Sequence, residues 1–303
     1  MTAIETSNLT KQYSEETALD DFTLRVERGE VFGFLGPNGA GKSTTIDIFL
    51  DFIRPTDGHA VLADCDPQQS PQKVKQNIGV VPDDYSLYDS LTGIEHIELA
   101  KDLHGSDEDT DTLLSRVGLA DAGDQPAGSY SKGMAQRLAF GMALVGDPDV
   151  LILDEPSGGI DPNGVQDMRE IIRSEAESGT TIFFSTHILE QVEAVCDRVA
   201  IINDGQLVAV DTISGLRDAF NKQSVLTLSI DGTPIELNLT DLDGVTDVEY
   251  TDETLTVQLS DPQLKSTVIT QVEASGVSVS NIEIEEASLA DLFSRLTTGG
   301  DSK

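Results

Sequence analysis

The residues Gly36-Pro37-Asn38-Gly39-Ala40-Gly41-Lys42-Ser43-Thr44 contain the pattern G-x-x-x-x-G-K-[S/T]. Glycines let backbone N–H groups converge on phosphate oxygens, and a helix that begins at once turns its positive end toward the same anion. Lys42 is placed to reach β- and γ-phosphates, and the Ser43 hydroxyl to ligate Mg2+. A carboxylate pair, Asp154-Glu155, follows the apolar run Val150-Leu151-Ile152-Leu153. Such a pair is a weak signal alone and a strong one beside a phosphate loop. Asp154 suits Mg2+, directly or through a water, and Glu155 can polarise an attacking water as general base. His187 closes another strand-like run, Thr180–Ser185, after Thr186. A histidine there can contact a γ-phosphate and keep the water in line with Glu155. Ser131 and Gly133, within Ser129-Tyr130-Ser131-Lys132-Gly133-Met134-Ala135-Gln136-Arg137, open a helix and offer a second anion-ready N-terminus. They lie far along the chain from Lys42, and could serve a site on another subunit. His59, His96 and His104 lack such context and read as ordinary surface or packing residues.

These groups need a scaffold. The run Val31–Leu35 before the loop is continuously apolar, as a buried strand should be, and Ile46 to Ile53 after it reads as a helix that Pro55 must stop. Val150–Leu153, Thr181–Phe184 and Val199–Ile202 are further buried-strand runs. Strands alternating with helices imply an α/β core on a parallel sheet. Short strands are expected at Ile4–Thr6, Phe22–Val26 and His59–Ala63, a helical stretch over about 85–145, and a hairpin turn at Asn203-Asp204-Gly205. Near residue 215 the pattern changes. Alternation marks strands at Val225–Ile230, Ile235–Leu239, Val248–Tyr250 and Leu255–Leu259. A helix over about Pro262–Ser275, a strand at Val277–Ile284 and a short helix at Ser288–Leu296 follow. The division is therefore 1–215 and 216–303, the second part a small α+β domain with no residues that suggest catalysis.

Composition narrows the class. The chain has 303 residues, with 19 Lys and Arg against 54 Asp and Glu, a formal charge of −35. Mean hydropathy is −0.15 and hydrophobic residues make up 38%, too many for wholesale disorder. The acidity is spread evenly: 38 acidic and 14 basic residues over 1–215, 16 and 5 over 216–303. A surface of this sign disfavours nucleic acid, whose phosphates need basic contacts, and fits adaptation to high salt. No apolar run reaches the length of a membrane span. Met1–Thr10 carries no secretory pattern, and Cys65 and Cys196 are too few for a disulfide framework, so an intracellular protein is expected.

The ordered set of phosphate loop, Ser131/Gly133 helix, Asp154-Glu155 strand, Gly159-Ile160-Asp161 turn and His187 resembles the ATP-binding-cassette ATPases, motor subunits of ABC transporters, over roughly residues 3–215. The resemblance implies a P-loop NTPase core with an antiparallel β subdomain and a helical subdomain. It implies Mg2+-dependent hydrolysis of ATP held by Gly36 to Thr44, with Asp161 among the nucleotide-contacting residues. It implies a head-to-tail dimer in which Ser131 and Gly133 of one subunit cap the ATP held by Lys42 of the other. Tyr13 takes the place of the aromatic that stacks on adenine. The family's signature reads Leu-Ser-Gly-Gly-Gln; here it is Tyr130-Ser131-Lys132-Gly133-Met134, and Lys132 and Met134 resemble the subgroup that serves ABC-2-type exporters. The appended domain fits the same subgroup. After Val80-Val81-Pro82 the family has a glutamine that binds Mg2+, where this chain has Asp83. An aspartate keeps an oxygen ligand and adds negative charge, which suits a water-bridged Mg2+ or slows hydrolysis. The implied partners are a second ATPase subunit and a membrane permease, with the chain on the cytoplasmic face of the membrane. Pro82-Asp83-Asp84-Tyr85-Ser86-Leu87-Tyr88 also resembles ATPases of nitrous-oxide-reductase copper-site maturation systems, and the acidity resembles haloarchaeal proteins. The competing class is an ABC-type switch without a permease, acting on ribosomes or DNA. Such relatives usually carry two cassettes or a long coiled coil, and this chain shows neither.

Overall fold

The computed structural model describes residues 1–14, 16–221, 224–231, 239–251, 254–260 and 262–286. The chain divides into two compact units, Met1–Ile213 and Ser214–Lys303.

The first unit runs β1 (Thr2–Tyr13), β2 (Glu16–Glu27), β3 (Val31–Leu35), α1 (Lys42–Phe49), β4 (Asp57–Leu62), α2 (Pro71–Asn77), β5 (Ile78–Val81), α3 (Gly93–His104), α4 (Thr110–Arg116), α5 (Lys132–Ala143), β6 (Val150–Asp154), α6 (Pro162–Glu177), β7 (Thr181–Thr186), α7 (Leu189–Val195), β8 (Arg198–Asn203) and β9 (Gln206–Thr212). Its central sheet has the order β5-β6-β7-β3-β8-β9. Its strands are parallel except β9, which pairs antiparallel with β8. A second sheet, β2-β1-β4, is antiparallel. Every residue of β3 is buried, which is why its sequence shows no alternation. Phe34 of β3, Phe183 of β7, Phe49 of α1 and Phe22 of β2 form one aromatic cluster, with ring centroids 5.2 to 5.7 Å apart. That cluster pins α1, and the loop before it, to the sheet.

Several elements differ from the sequence expectations for identifiable reasons. The expected short strand at Ile4–Thr6 is part of the much longer β1. Asn8 takes a left-handed φ of 48° and the pairing register shifts between Thr6 and Leu9, so the inward residues Ile4, Thr6 and Leu9 fall out of strict alternation. The helix after the loop spans Lys42–Phe49 rather than Ile46–Ile53. It ends before Pro55 acts, and Asp51 turns left-handed just beyond it. Over 85–145 the helices start only at Gly93, behind a capping box: the Thr92 hydroxyl accepts from the Glu95 N–H at 3.2 Å and the Glu95 carboxylate from the Thr92 N–H at 2.8 Å. The Asn203-Asp204-Gly205 turn joins β8 to β9, with positive φ at Asp204 (47°) and Gly205 (74°).

The second unit begins within α8 (Ile213–Asn221) and continues with β10 (Ser224–Asp231), β11 (Val245–Tyr250), β12 (Thr254–Leu259), α9 (Lys265–Ala274) and β13 (Ser278–Glu286). Its antiparallel sheet has the order β11-β12-β10-β13. Val268 and Val272 of α9 share a core with Leu226, Leu228, Leu255 and Val257. Of the expected strand Ile235–Leu239, residues 235–238 lie outside the described residues and Leu239 opens a 3-10 turn; the expected helix Ser288–Leu296 also lies outside them.

Candidate active site

The central sheet converges its strand ends. In the parallel register Leu35 of β3 pairs with Thr186 of β7, and Asp154 of β6 pairs with Ser185. Val81 of β5 pairs with Leu153 of β6, which brings Asp83, two residues on, alongside Asp154. Four loops therefore leave the same edge of the sheet together, at the point where the chain switches direction around β3.

The phosphate loop bends over this edge. Gly41 has φ 108°, and a Cβ there would stand 2.7 Å from the Ala18 carbonyl oxygen. At Gly36 a Cβ would stand 2.5 Å from the Ile202 carbonyl oxygen, so only glycine fits. Lys42, buried at the start of α1, donates from Nζ to the carbonyl oxygens of Gly36 (2.7 Å) and Pro37 (3.2 Å). Behind the loop, the Gly205 N–H of the β8–β9 turn donates to the Ala40 carbonyl at 3.0 Å, and the Asp20 N–H donates to the Gly205 carbonyl at 3.0 Å.

A cavity of about 420 Å³ opens in front of the loop. Its wall includes Asn38, Gly39, Gly41, Lys42, Ser43 and Thr44 from the loop and helix, Asp83, Asp154 and Glu155 from the strand ends, and Tyr13, Glu16 and Ala18 from the β1–β2 hairpin. The structure thus brings Tyr13 to the phosphate loop, with the Lys11 ammonium 4.8 Å from the centre of its ring. Gly36, Pro37 and Ala40 support the loop rather than line the cavity. Of Asp83 and Asp84, Asp83 faces the cavity.

Glu155 has a left-handed φ of 45° immediately before Pro156, a strained conformation for a side-chain-bearing residue. It turns the carboxylate back across the sheet edge. Oε1 lies 3.6 Å from Lys42 Nζ and 2.9 Å from His187 Nδ1. The Thr186 hydroxyl donates to Oε2 at 3.0 Å. Burial pushes the Asp154 carboxyl above the ordinary aspartate range. The Ser185 hydroxyl opposes that shift, the neighbouring Asp83 and Glu155 carboxylates reinforce it, and Lys42 opposes it. A cation would relieve this crowding. Ser43, Asp83 and Asp154 supply hydroxyl and carboxylate oxygens, the hard donors that Mg2+ takes. Among the described residues no three His, Cys, Asp or Glu side chains converge into a cage made by protein alone. Mg2+ uses one or two carboxylates and keeps waters and phosphate oxygens, so the donor set fits it.

Ser131 and Gly133, which the resemblance places on the ATP of another subunit, and Asp161, which it places among the nucleotide-contacting residues, do not line this cavity. Ser131 caps α5, its hydroxyl accepting from the Met134 N–H at 3.2 Å. The Asp161 carboxylate caps α6, accepting from the N–H groups of Asn163 (2.9 Å) and Gly164 (3.0 Å). The two helix starts adjoin: a Cβ on Gly133 would stand 3.4 Å from Ile160 Cγ2 and 3.6 Å from Gly164 Cα.

The ABC transporter family model matches residues 19–158, and one for the C-terminal domain of DrrA1-3-like ATP-binding proteins matches residues 212–297. The bacitracin transport ATP-binding protein BcrA of Enterococcus faecalis is 33% identical over 98% of this chain and 97% of its own. The chain belongs to the ABC transporter ATP-binding subunits. The daunorubicin/doxorubicin resistance ATP-binding protein DrrA of Streptomyces peucetius is also similar, 33% identical over 97% of this chain and 92% of its own. A solved ATP-binding subunit of an ABC transporter has 30% identity and a TM-score of 0.65, covering 72% of this chain and 93% of that one. Membership brings ATPase activity with it.

Sequence reasoning missed several residues of this ABC subunit's site. Glu16 reaches the cavity because it pairs with Tyr13 across the hairpin. Thr186 meets Glu155 only through tertiary structure, although its place beside His187 was visible. His96, read as an ordinary surface or packing residue, is packed: it is 1% exposed, with Nδ1 2.8 Å from the Thr92 carbonyl and Nε2 accepting from the Tyr88 N–H at 3.0 Å. It ties the segment after Asp83 to α3.

Proposed function

We propose that the chain is the ATP-hydrolysing subunit of an ABC-2-type exporter and drives a separate membrane permease. The observation that carries the chemistry is Glu155, whose carboxylate stands beside the phosphate-loop Lys42 and against His187. In this reading the backbone of Gly36 to Thr44 and the Lys42 ammonium bind the phosphates, and Tyr13 stacks on adenine. Ser43, Asp154 and Asp83 would hold Mg2+, which neutralises phosphate charge as the terminal bond breaks. Glu155 accepts the proton of the attacking water, and His187 keeps that carboxylate aimed. Ser131 and Gly133, with the Asp161 turn beside them, face the nucleotide of a partner subunit in a head-to-tail dimer. Their position outside the cavity of their own chain agrees with a role in trans.

The match of residues 212–297 to the DrrA-type C-terminal domain supports the exporter reading. Relatives named for bacitracin transport, fluoroquinolone export and daunorubicin/doxorubicin resistance support an antibiotic-like cargo. None of those names concerns copper maturation, and that reading takes no support from them. Among the described residues no helix is long and apolar enough to cross a membrane, so the passage itself is assigned to the permease. The charge of −35 supports a working environment of high salt. Glu155→Gln is the deciding experiment. It should bind ATP and accumulate dimer without turnover, and parental turnover in that variant would remove the assignment.

A further inference from the structure

The carboxylate of Glu155 is held at both oxygens by adjacent residues of one strand end: His187 Nδ1 at Oε1 (2.9 Å) and the Thr186 hydroxyl at Oε2 (3.0 Å). The two differ in setting. His187 has half its side chain in solvent, whereas Thr186 is fully buried at the end of β7. A threonine hydroxyl has one proton to give. Its two acceptors here are Glu155 Oε2 at 3.0 Å and Gln191 Oε1 of α7 at 3.4 Å. The shorter contact is also the charged one, so the proton goes to Glu155. The oxygen in turn accepts the Ile188 N–H at 3.1 Å, which polarises the O–H bond and anchors the backbone directly after His187. One buried hydroxyl therefore fixes the carboxylate and the histidine loop together.

We propose that Thr186 is a positioning residue for ATP hydrolysis. By donating to Glu155 Oε2 it locks the rotation of the carboxylate, so that Oε1 is presented to the water and to His187. This inference rests on the assignment of Glu155 as the base. A left-handed residue before a proline is a strained pedestal for a catalytic carboxylate, and its side chain needs such a tether to keep one orientation.

The test compares Thr186→Val, Thr186→Ser and Glu155→Gln in steady-state ATPase assays of the full chain with MgATP. Valine keeps the shape and removes the hydroxyl; serine keeps the hydroxyl. Thr186→Val should lower kcat by about tenfold or more, the scale of one hydrogen bond to a charged group, with KM for ATP within about twofold of the parent. Thr186→Ser should restore kcat to within about threefold of the parent, since it returns the same donor. A merely structural role would move KM or thermal stability along with kcat. If valine proves poorly folded, Thr186→Ala must show the same split. Parental kcat in Thr186→Val, or an equal loss in Thr186→Ser, overturns the proposal while an inactive Glu155→Gln leaves the base assignment standing. Turnover in Glu155→Gln overturns both.

Discussion

His187 Nδ1 stands 2.9 Å from Oε1 of Glu155, a contact between residues thirty-two positions apart that the pairing of β6 with β7 brings together. The histidine is half exposed while the carboxylate is largely covered, so the ring can move without unfolding the strand end. His187→Ala should lower kcat by about a hundredfold, the scale of a misplaced general base, with little change in ATP affinity. Pre-steady-state turnover and equilibrium nucleotide binding separate the two quantities. A loss confined to affinity would assign His187 to binding alone.

Lys42 is buried, with its ammonium 3.6 Å from the largely covered Glu155 carboxylate. Its ammonium already satisfies the Gly36 and Pro37 carbonyls. Lys42→Ala should weaken ATP binding by about tenfold to a hundredfold, as expected for one charge-assisted hydrogen bond. Titration with a fluorescent ATP analogue measures this directly.

The raised Asp154 carboxyl predicts a stability effect of opposite sign to the activity effect. Its proton is held more tightly folded than unfolded. The fold is therefore favoured while the pH is below the ordinary aspartate value, and that advantage is lost as pH rises through the raised one. At neutral pH without divalent cation the ionised side chain is a burden. Asp154→Asn should melt at a higher temperature than the parent in a chelator-containing buffer at pH 7, and should lose ATPase activity. Adding Mg2+ with ATP should stabilise the parent far more than the variant.

Arg116 of α4 grips Glu175 of α6 through Nε at 3.2 Å and an Nη at 2.7 Å, and Glu175 is 3% exposed. This pair ties the helical segment to the main sheet layer, and Asp147 adds a third anchor at 3.2 Å. Glu175→Ala removes the buried partner but leaves Asp147 and Glu108 beside the guanidinium, and should cost about 1.5 kcal/mol of unfolding free energy by denaturant titration. Arg116→Met with Glu175→Leu should recover most of that, because burying neither charge avoids the desolvation penalty.

Even acidity makes a prediction about salt. Two subunits of charge −35 repel over roughly 14 Å at ~50 mM salt and over about 3 Å at 1 M. ATP-driven dimers of Glu155→Gln should form in molar KCl and fall apart on dilution of the salt, as followed by light scattering. Equal dimerisation at both concentrations would leave the acidity without that consequence.

The chemistry was more legible than the scaffold around it. Gly36 to Thr44 and Asp154-Glu155 could be read because backbone and side chain act there within a few residues, between runs that are buried on every side. β5 was harder to see. Its four residues follow directly on the polar α2 and carry no alternation, so Asp83 reached the site only through family resemblance. β1 hid behind its bulges. Thr186 was visible as a strand end but not as a partner of Glu155, because that hydrogen bond spans thirty-one residues and depends on which strands are neighbours. Asp161 and Ser131 are signals of another kind: each caps a helix within its own chain, and any partner subunit is outside what one sequence can place.

The order of strands in the central sheet also governs how the chain can come off the ribosome. β3, which carries the phosphate loop, has β7 and β8 as its hydrogen-bonded neighbours, and the loop's backing comes from Gly205. These pieces are made some hundred and fifty residues after the loop itself. Until they emerge, the apolar run Val31–Leu35 has no sheet to enter, and the loop lacks the Ile202 contact at Gly36 and the Gly205 hydrogen bond at Ala40. Such pairings form slowly because a long loop must close before any contact rewards it. The phosphate loop is thus made well before the strands and the turn that hold it rigid. A nascent chain cannot engage ATP until almost the whole first unit has been synthesised.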